Sequence, residues 1–214
     1  MQVLMLTSSG KHGGACVTGC DMETGELIRL VSDAETGEAI PFGWVQDVRP
    51  MDVVQFEAVK SCPLGPQTEN VLVKPFSISS IGNIGGDFAD LVSFYNLLST
   101  DIQFMKSPGN HVDAVNGYKH SLEIIHVSKL EIRKVGNYKG SPTGRAFFIF
   151  NGLQYNNFRV TDPRFDIRQQ DTDTMIIGDA FLIMSIPAAP YVNEEGTNFG
   201  YYKFVAAIYP DETE

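Results

Sequence analysis

The dipeptide Asn151-Gly152 constrains the fold most strongly, because it lies between two apolar runs at residues 145–150 and 153–160. Asn-Gly favours the type I′ turn of a two-residue hairpin, since both central residues of that turn need a positive φ. The sequence therefore predicts an antiparallel hairpin here and a chain built mainly from β-strands.

The first half of the chain also has the pattern of short strands joined by turns. Runs of β-branched and apolar residues alternate with Gly, Pro and Asp-rich breaks. Strands are expected at residues 2–8, 15–21, 26–32, 53–59 and 69–73, and the first three are expected to form a β-meander. Five short strands are the number that a small Greek-key barrel of the OB type requires.

One segment has the period of a helix instead. Its apolar residues recur three and four positions apart, and Asp87 precedes them as a suitable N-cap. The residues of this stripe are Phe88, Leu91, Val92, Tyr95 and Leu98. We expect a helix near residues 87–98 that covers the core of the first barrel.

The division into domains follows from a change in composition. Residues 105–118 contain Ser-Pro-Gly-Asn and Asn-Gly, which is typical of an irregular linker. Residues 119–210 then provide about five more strands. We therefore predict a mainly β fold with two tandem OB-like small barrels, at residues 1–104 and 119–210, and one helix between them or capping the first.

The charge of the chain limits its partners. A formal net charge of -10 and a pI of about 4.8 disfavour general attraction to nucleic acid, which depends on Lys and Arg neutralising phosphates. A local basic patch is still compatible with these values. No apolar run reaches the length of a membrane span, and the three cysteines suit reduced thiols, so we expect a cytoplasmic protein without a membrane partner.

The sequence shows no signature of a metal site or of catalysis. Cys16 and Cys20 have the spacing of a ligand pair, but no second pair of ligands completes it, and burial on a strand is the simpler interpretation. No nucleophile stands next to a base in a known order. We therefore expect no metal, no cofactor and no catalytic residue, although an enzyme whose groups converge in space is not excluded.

A glycine-rich loop near the start is the first candidate for ligand contact. Lys11, His12, Gly13 and Gly14 follow an apolar strand, and glycines allow a backbone to approach a ligand closely. The loop lacks the order of a phosphate-binding loop, and a strand follows it. A tight connection between strands explains the glycines equally well.

Three further positions offer polar groups. Arg29 alternates with apolar neighbours on its strand, so its side chain faces either solvent or a binding groove. Thr161 and Asp162 suit either a ligand or a turn before a proline, and the turn is favoured. Lys203, on the same face as Tyr201, provides either a stacking cation or a simple surface residue.

The order of these motifs along the chain resembles the prokaryotic dual OB-containing domain family. The resemblance rests on the Lys11 to Gly14 loop, the segment from Ile28 to Ser32, the Glu69-Asn70 pair, the Phe158 to Pro163 segment and the closing strand around Lys203. It implies two tandem OB-like barrels that act in nucleic-acid or nucleotide contexts, including bacterial conflict systems. It implies no established catalytic activity.

These observations lead to one expected function and two alternatives. We expect a non-enzymatic module that binds single-stranded nucleic acid or a nucleotide-like ligand in an OB-type groove, as a sensor or adaptor. The alternatives are a protein-interaction or inhibitor module and an enzyme acting on a nucleotide-like substrate. The expected ligand-binding residues are Lys11, His12, Gly13, Gly14, Arg29, Ser32, Thr161, Asp162 and Lys203.

Overall fold

The computed structural model describes residues 1–11, 13–136, 141–192, 196 and 199–212. The chain forms two compact units. Unit 1 comprises Met1–Leu97 and Lys119–Leu122, and unit 2 comprises Leu98–Tyr118 and Glu123–Glu214. Among the described residues, the helices are too short or too polar to cross a bilayer.

Unit 1 is a curled sheet with one α-helix. Its strands and helix are β1 (Gln2–Lys11), β2 (Gly14–Asp21), β3 (Leu27–Val31), β4 (Ile40–Pro41), β5 (Asp52–Gln55), β6 (Ala58–Ser61), β7 (Asn70–Val73), β8 (Ser79–Asn83) and α1 (Phe88–Tyr95). The opening meander predicted from the sequence is confirmed, because β1 pairs antiparallel with β2 and β2 with β3.

The sheet of unit 1 returns on itself. β3 pairs in parallel with β7, which pairs antiparallel with β6, while β1 pairs with β5 at the other end. Only residues 56–57 separate β5 from β6, so one continuous segment of chain joins the two ends of the sheet. β5 and β6 together therefore take the place of the fourth strand in a five-stranded arrangement. β4 pairs with β2, and β8 pairs with β5 at the outer edge of the sheet.

The core of unit 1 lies inside this curl. Val3 and Met5 of β1 pack there with apolar residues of the neighbouring strands, such as Val17 and Leu30. Alternate residues of a strand point to opposite faces, so this pattern follows directly from the sequence. Leu4, on the other face of β1, is also fully buried, which shows that β1 is covered on both sides.

The predicted helix is confirmed, but its role differs from the expectation. The side chain of Asp87 accepts a hydrogen bond from the amide of Ala89 at 2.9 Å, as an N-cap does. α1 ends at Tyr95, because Asn96 adopts a left-handed conformation with φ 51°, so Leu98 is not part of the helix. Its buried residues Phe88, Leu91 and Val92 lie outside the core cluster of unit 1, so the helix does not cap that core.

The remaining helical segments are single 3-10 turns. They lie at Phe42–Trp44, Phe104–Lys106, Ala114–Asn116, Pro163–Phe165 and Ile167–Gln169.

Unit 2 contains a closed barrel and a small three-stranded sheet. Its strands are β9 (His111–Asp113), β10 (Leu122–Gly136), β11 (Pro142–Phe150), β12 (Leu153–Val160), β13 (Thr174–Ser185), β14 (Tyr191–Val192), β15 (Phe199–Tyr202) and β16 (Phe204–Pro210). The barrel order is β10-β11-β12-β16-β13, and the small sheet has the order β14-β15-β9.

The second and third strands of the barrel, β11 and β12, form the predicted hairpin. Asn151 and Gly152 have φ values of 49° and 76°, as a type I′ turn requires, and they join β11 to β12. β12 then pairs in parallel with β16, which repeats the pairing of β3 with β7 in unit 1. The predicted mainly β fold with two OB-like units is thus confirmed.

The linker expected at residues 105–118 is instead part of unit 2. Met105 is fully buried in the core of that unit, and its carbonyl accepts a hydrogen bond from the hydroxyl of Tyr155 at 2.7 Å. The carboxylate of Glu123 accepts hydrogen bonds from the amides of Gln103, Phe104 and Met105. A buried side chain therefore orders a segment whose turn-rich composition resembles that of a linker.

Candidate nucleic-acid interface

The glycine-rich loop is a tight connection between β1 and β2. Gly13 has a φ of 85°, and a Cβ on Gly14 would lie 2.7 Å from the carbonyl oxygen of Ile40 on β4. These two glycines are therefore explained by the backbone. His12 and the side chain of Lys11 lie outside the described residues, so ligand contact at these positions stays a prediction.

The expectation that Arg29 faces solvent or a groove is wrong. Its side chain is buried, with 4% exposed, although it points away from the core as the alternation predicts. Its Nε lies 3.4 Å from a carboxylate oxygen of Glu69, and its Nη atoms donate to Ser121 Oγ and Cys16 Sγ, each at 2.8 Å. Residues distant in sequence cover this face of β3, so Arg29 is not available to a ligand.

Thr161 and Asp162 form hydrogen bonds within the protein, which agrees with the turn favoured in the sequence analysis over a ligand site. The hydroxyl of Thr161 donates to the carbonyl of Val205 at 3.2 Å. The buried carboxylate of Asp162 accepts the amide of Ile208 at 2.9 Å and pairs with the guanidinium of Arg164 at 2.8 Å. These contacts join the turn after β12 to β16.

The side chains of Ser32 and Lys203 also form hydrogen bonds within their own units. Ser32 Oγ donates to the carbonyl of Ala39 at 2.8 Å. Lys203 is 1% exposed, and its Nζ donates to the carbonyl of Ser107 at 2.6 Å and lies 5.8 Å from the ring centroid of Phe158. Burial lowers the pKa of Lys203 to about 8, although the charge of Glu123 opposes this change. The expected ligand contact at Lys203 is therefore corrected to a role in the core.

The structure brings together three arginines that the sequence analysis did not select. Arg133 on β10 lies directly opposite Arg145 on β11, and Arg145 lies directly opposite Arg159 on β12. The sequence neighbours of these arginines are in the core, namely Ile132, Ala146 and Phe158. Because neighbouring residues of a strand point to opposite faces, the arginines are on the outer face of the barrel.

Among the residues that the structure describes, only Arg133 of the three has a carboxylate partner. The guanidinium of Arg133 pairs with Glu131 and lies 4.5 Å from the ring centroid of Phe147. In the described part of the chain, Arg145 and Arg159 form no ion pair, and Arg145 Nε donates only to Thr143 Oγ1 at 3.2 Å. Burial, followed by the positive charge of Arg159, lowers the pKa of Arg145.

Exposed aromatic rings continue this surface. Tyr202 ends β15 and lies two residues before Phe204, which pairs with Arg159, and its ring centroid lies 5.5 Å from that of Tyr191 in an edge-to-face arrangement. Both tyrosines are about half exposed, and His111 lies 6.2 Å from Tyr202 on the same small sheet. We call the set of Arg133, Arg145, Arg159, Phe147 and Tyr202 the arginine face.

The arginine face is suited to an anion that carries planar groups. Like charges placed directly opposite on neighbouring strands destabilise a sheet, so an anion held between Arg145 and Arg159 would relieve their repulsion. Guanidinium groups bind phosphates in a bidentate manner, and aromatic faces stack on bases. β11 and β12 are the second and third strands of the barrel, the face on which OB folds bind oligonucleotides.

A sequence signal for this face existed in the predicted hairpin itself. Arg145 opens its first strand and Arg159 lies near the end of its second, which places both at the open end of the hairpin. Their exact opposition depends on register shifts that the turn does not reveal.

Comparison with known proteins agrees with the architecture. A model of the dual OB-containing domain family matches residues 1–208, which include strands of both units. No curated protein and no solved structure gives a significant match.

Proposed function

The chain belongs to the dual OB-containing domain family, and on that premise we propose that it is a binding module that holds single-stranded nucleic acid on the arginine face of unit 2. The observation that carries the proposal is the direct opposition of Arg145 and Arg159 without a carboxylate partner in the described part of a chain of net charge -10.

The roles of the residues follow from their positions. Arg145 and Arg159 contact successive phosphates, and the attraction of these phosphates offsets the repulsion between the two guanidinium groups. Tyr202, two residues before the strand partner of Arg159, provides a ring on which an unpaired base stacks. Arg133 contributes less, because Glu131 already neutralises it.

A single strand fits this face better than a duplex does. Stacking on Tyr202 requires bases whose faces are accessible, which a duplex conceals. The acidic remainder of the chain repels a polyanion at long range, so binding depends on these local contacts rather than on general attraction. We therefore expect weak binding to duplex DNA at moderate salt.

The test is fluorescence anisotropy with labelled single-stranded DNA and RNA at low salt. The double variant Arg145→Ala/Arg159→Ala should bind at least about tenfold more weakly than the wild type, because two charge-assisted contacts are lost. The matched control is Arg168→Ala, since Arg168 is an exposed arginine of unit 2 that pairs with Asp166 at 2.6 Å. This control should bind as the wild type does.

Two results would overturn the proposal. One is the absence of binding to either polymer by the wild type, which would favour a protein partner or a small ligand. The other is equal loss of affinity in the double variant and in Arg168→Ala, which would indicate general electrostatics instead of a site.

A further inference from the structure

Unit 1 contains a cleft that is separate from the arginine face. Its volume is about 340 Å³, at the lower end of the range for ligand pockets. It lies between the 3-10 turn that contains Trp44 and the turn that leads into β8. The side chains that matter for its chemistry are Trp44, Gln46, Asp47, Phe76, Ser79 and Ser80.

The backbone at Phe76 is unusual for a residue of its type. The amide of Ser77 donates to the carbonyl of Lys74 at 3.2 Å, which closes a turn with Pro75 in its second position. Phe76 occupies the third position with a φ of 58°, where a turn of this kind favours Gly or Asn. A bulky residue in a left-handed conformation carries a strain that is found mainly at functional sites.

The strained turn presents an aromatic ring to the cleft. The side chain of Phe76 is 76% exposed, so the apolar core does not account for its presence. Its ring centroid lies 5.4 Å from that of Trp44, with an angle of 50° between the ring planes. The two rings thus form an open corner against which a ligand can lie.

The charge of the cleft selects the kind of ligand. Among the described residues that line it, Asp47 is the only charged one. A carboxylate repels phosphates and attracts cations, and the faces of Trp and Phe also attract cations through their quadrupoles. Both features favour a positively charged ligand and disfavour a nucleotide.

We propose that this cleft binds an organic cation, an ammonium or guanidinium group, between Trp44 and Phe76 with Asp47 as the counter-charge. The cleft accommodates a group of the size of a small molecule or of one amino-acid side chain. The site is independent of the arginine face, so each proposal can fail without the other.

The fluorescence of Trp44 provides a direct measurement, because Trp44 is the only tryptophan of the chain. Tetramethylammonium chloride and L-arginine amide should each change its emission in a saturable manner, whereas sodium chloride at equal ionic strength should not. Adenosine monophosphate serves as the anionic comparison. A short peptide with a single arginine distinguishes a side chain from a free solute.

The variant Phe76→Gly separates binding from folding. Glycine suits the left-handed position, so this variant should be at least as stable as the wild type and yet bind the cation roughly three- to thirtyfold more weakly. Asp47→Asn should also weaken binding. Phe94→Ala is the matched control, because Phe94 is 79% exposed on α1 and does not line the cleft.

Four results would overturn the proposal, and three of them concern the wild type. These are the absence of a saturable response to both cations, a response that sodium chloride reproduces, and a response to adenosine monophosphate alone. Unchanged affinity in Phe76→Gly would also overturn it.

Discussion

Buried basic residues are unusual in proteins, and the described residues include one in each unit. Arg29 is held by Glu69 and Ser121 in unit 1, and Lys203 donates to Ser107 in unit 2. A buried charge is expensive unless partners satisfy it, so these contacts restrict the local structure to one arrangement. Both cations therefore contribute to the fold rather than to ligand binding.

The lowered pKa of Lys203 makes the stability of unit 2 depend on pH. The unfolded chain binds this proton up to pH 10.5 and the folded chain only up to about pH 8, so the contribution of Lys203 to stability rises through that window. The free energy of unfolding of the wild type, relative to Lys203→Met, should increase by at most about 1.4 kcal/mol per pH unit between these values.

Urea unfolding of both proteins at several pH values measures this difference. The control is Lys106→Met, which removes an exposed lysine of unit 2 and should leave the pH dependence unchanged. A difference between wild type and Lys203→Met that stays constant from pH 8 to pH 10.5 would contradict the assignment.

At the scale of elements, two register shifts create the arginine face, one between Ser128 and Glu131 in the β10–β11 pair and one in the β11–β12 hairpin. In the β11–β12 hairpin, Phe150 pairs with Leu153, but a register shift beyond Phe148 places Arg145 opposite Arg159. Without that shift, Arg145 would lie opposite Phe158, a core residue. Asn157, with a φ of 68°, lies at this irregularity.

The repulsion between Arg145 and Arg159 leads to a prediction about the free energy of unfolding. Arg145→Thr removes the repulsion with Arg159 and introduces a residue with high strand propensity, so the free energy of unfolding should rise by about 0.5 kcal/mol. Binding of single-stranded nucleic acid should weaken in the same variant. Denaturant unfolding and anisotropy measure the two effects.

The neighbouring arginine is the control for this prediction. Arg133→Thr removes a guanidinium that pairs with Glu131 and lies over Phe147, so it should lower stability. If Arg145→Thr is destabilised as much as Arg133→Thr, the two opposed arginines do not repel each other in the free protein.

The same elements show how far the sequence determines the structure. The Asn151-Gly152 turn, the opening meander and the Asp87 cap follow from local chemistry, and all three are confirmed. The register shift near Asn157 does not, because a bulge depends on packing within the closed barrel. The arginine face could therefore not be derived from the turn alone.

The burial of the expected site residues also could not be predicted from local sequence patterns. Alternation correctly placed Arg29 away from the core, but only the folded chain brings Ser121 and Glu69 over it. Residues 105–118 were predicted as a linker, because composition does not show that Glu123 fixes the start of this segment through the amides of residues 103–105. Long-range contacts determine both outcomes.

At the scale of the whole molecule, a few exposed cations act within a strongly acidic chain. If Arg145 and Arg159 neutralise one phosphate each, the logarithm of the affinity for a single strand should fall with the logarithm of salt concentration with a slope of about -1.4. In Arg145→Ala/Arg159→Ala the slope should approach zero, because Glu131 already neutralises the remaining Arg133. Anisotropy titrations over a range of sodium chloride concentrations give both slopes, and an identical slope in the two proteins would contradict the assignment.

The path of the chain between the two units has a consequence for inheritance. The chain leaves unit 1 after Leu97, returns at Lys119 and leaves again after Leu122, so no single cut divides it into two complete units. A gene fragment that ends between the halves would encode a first unit without Ser121, which is a partner of Arg29. Recombination at one breakpoint therefore cannot exchange either unit with its whole chain, so we expect the two units to be inherited together.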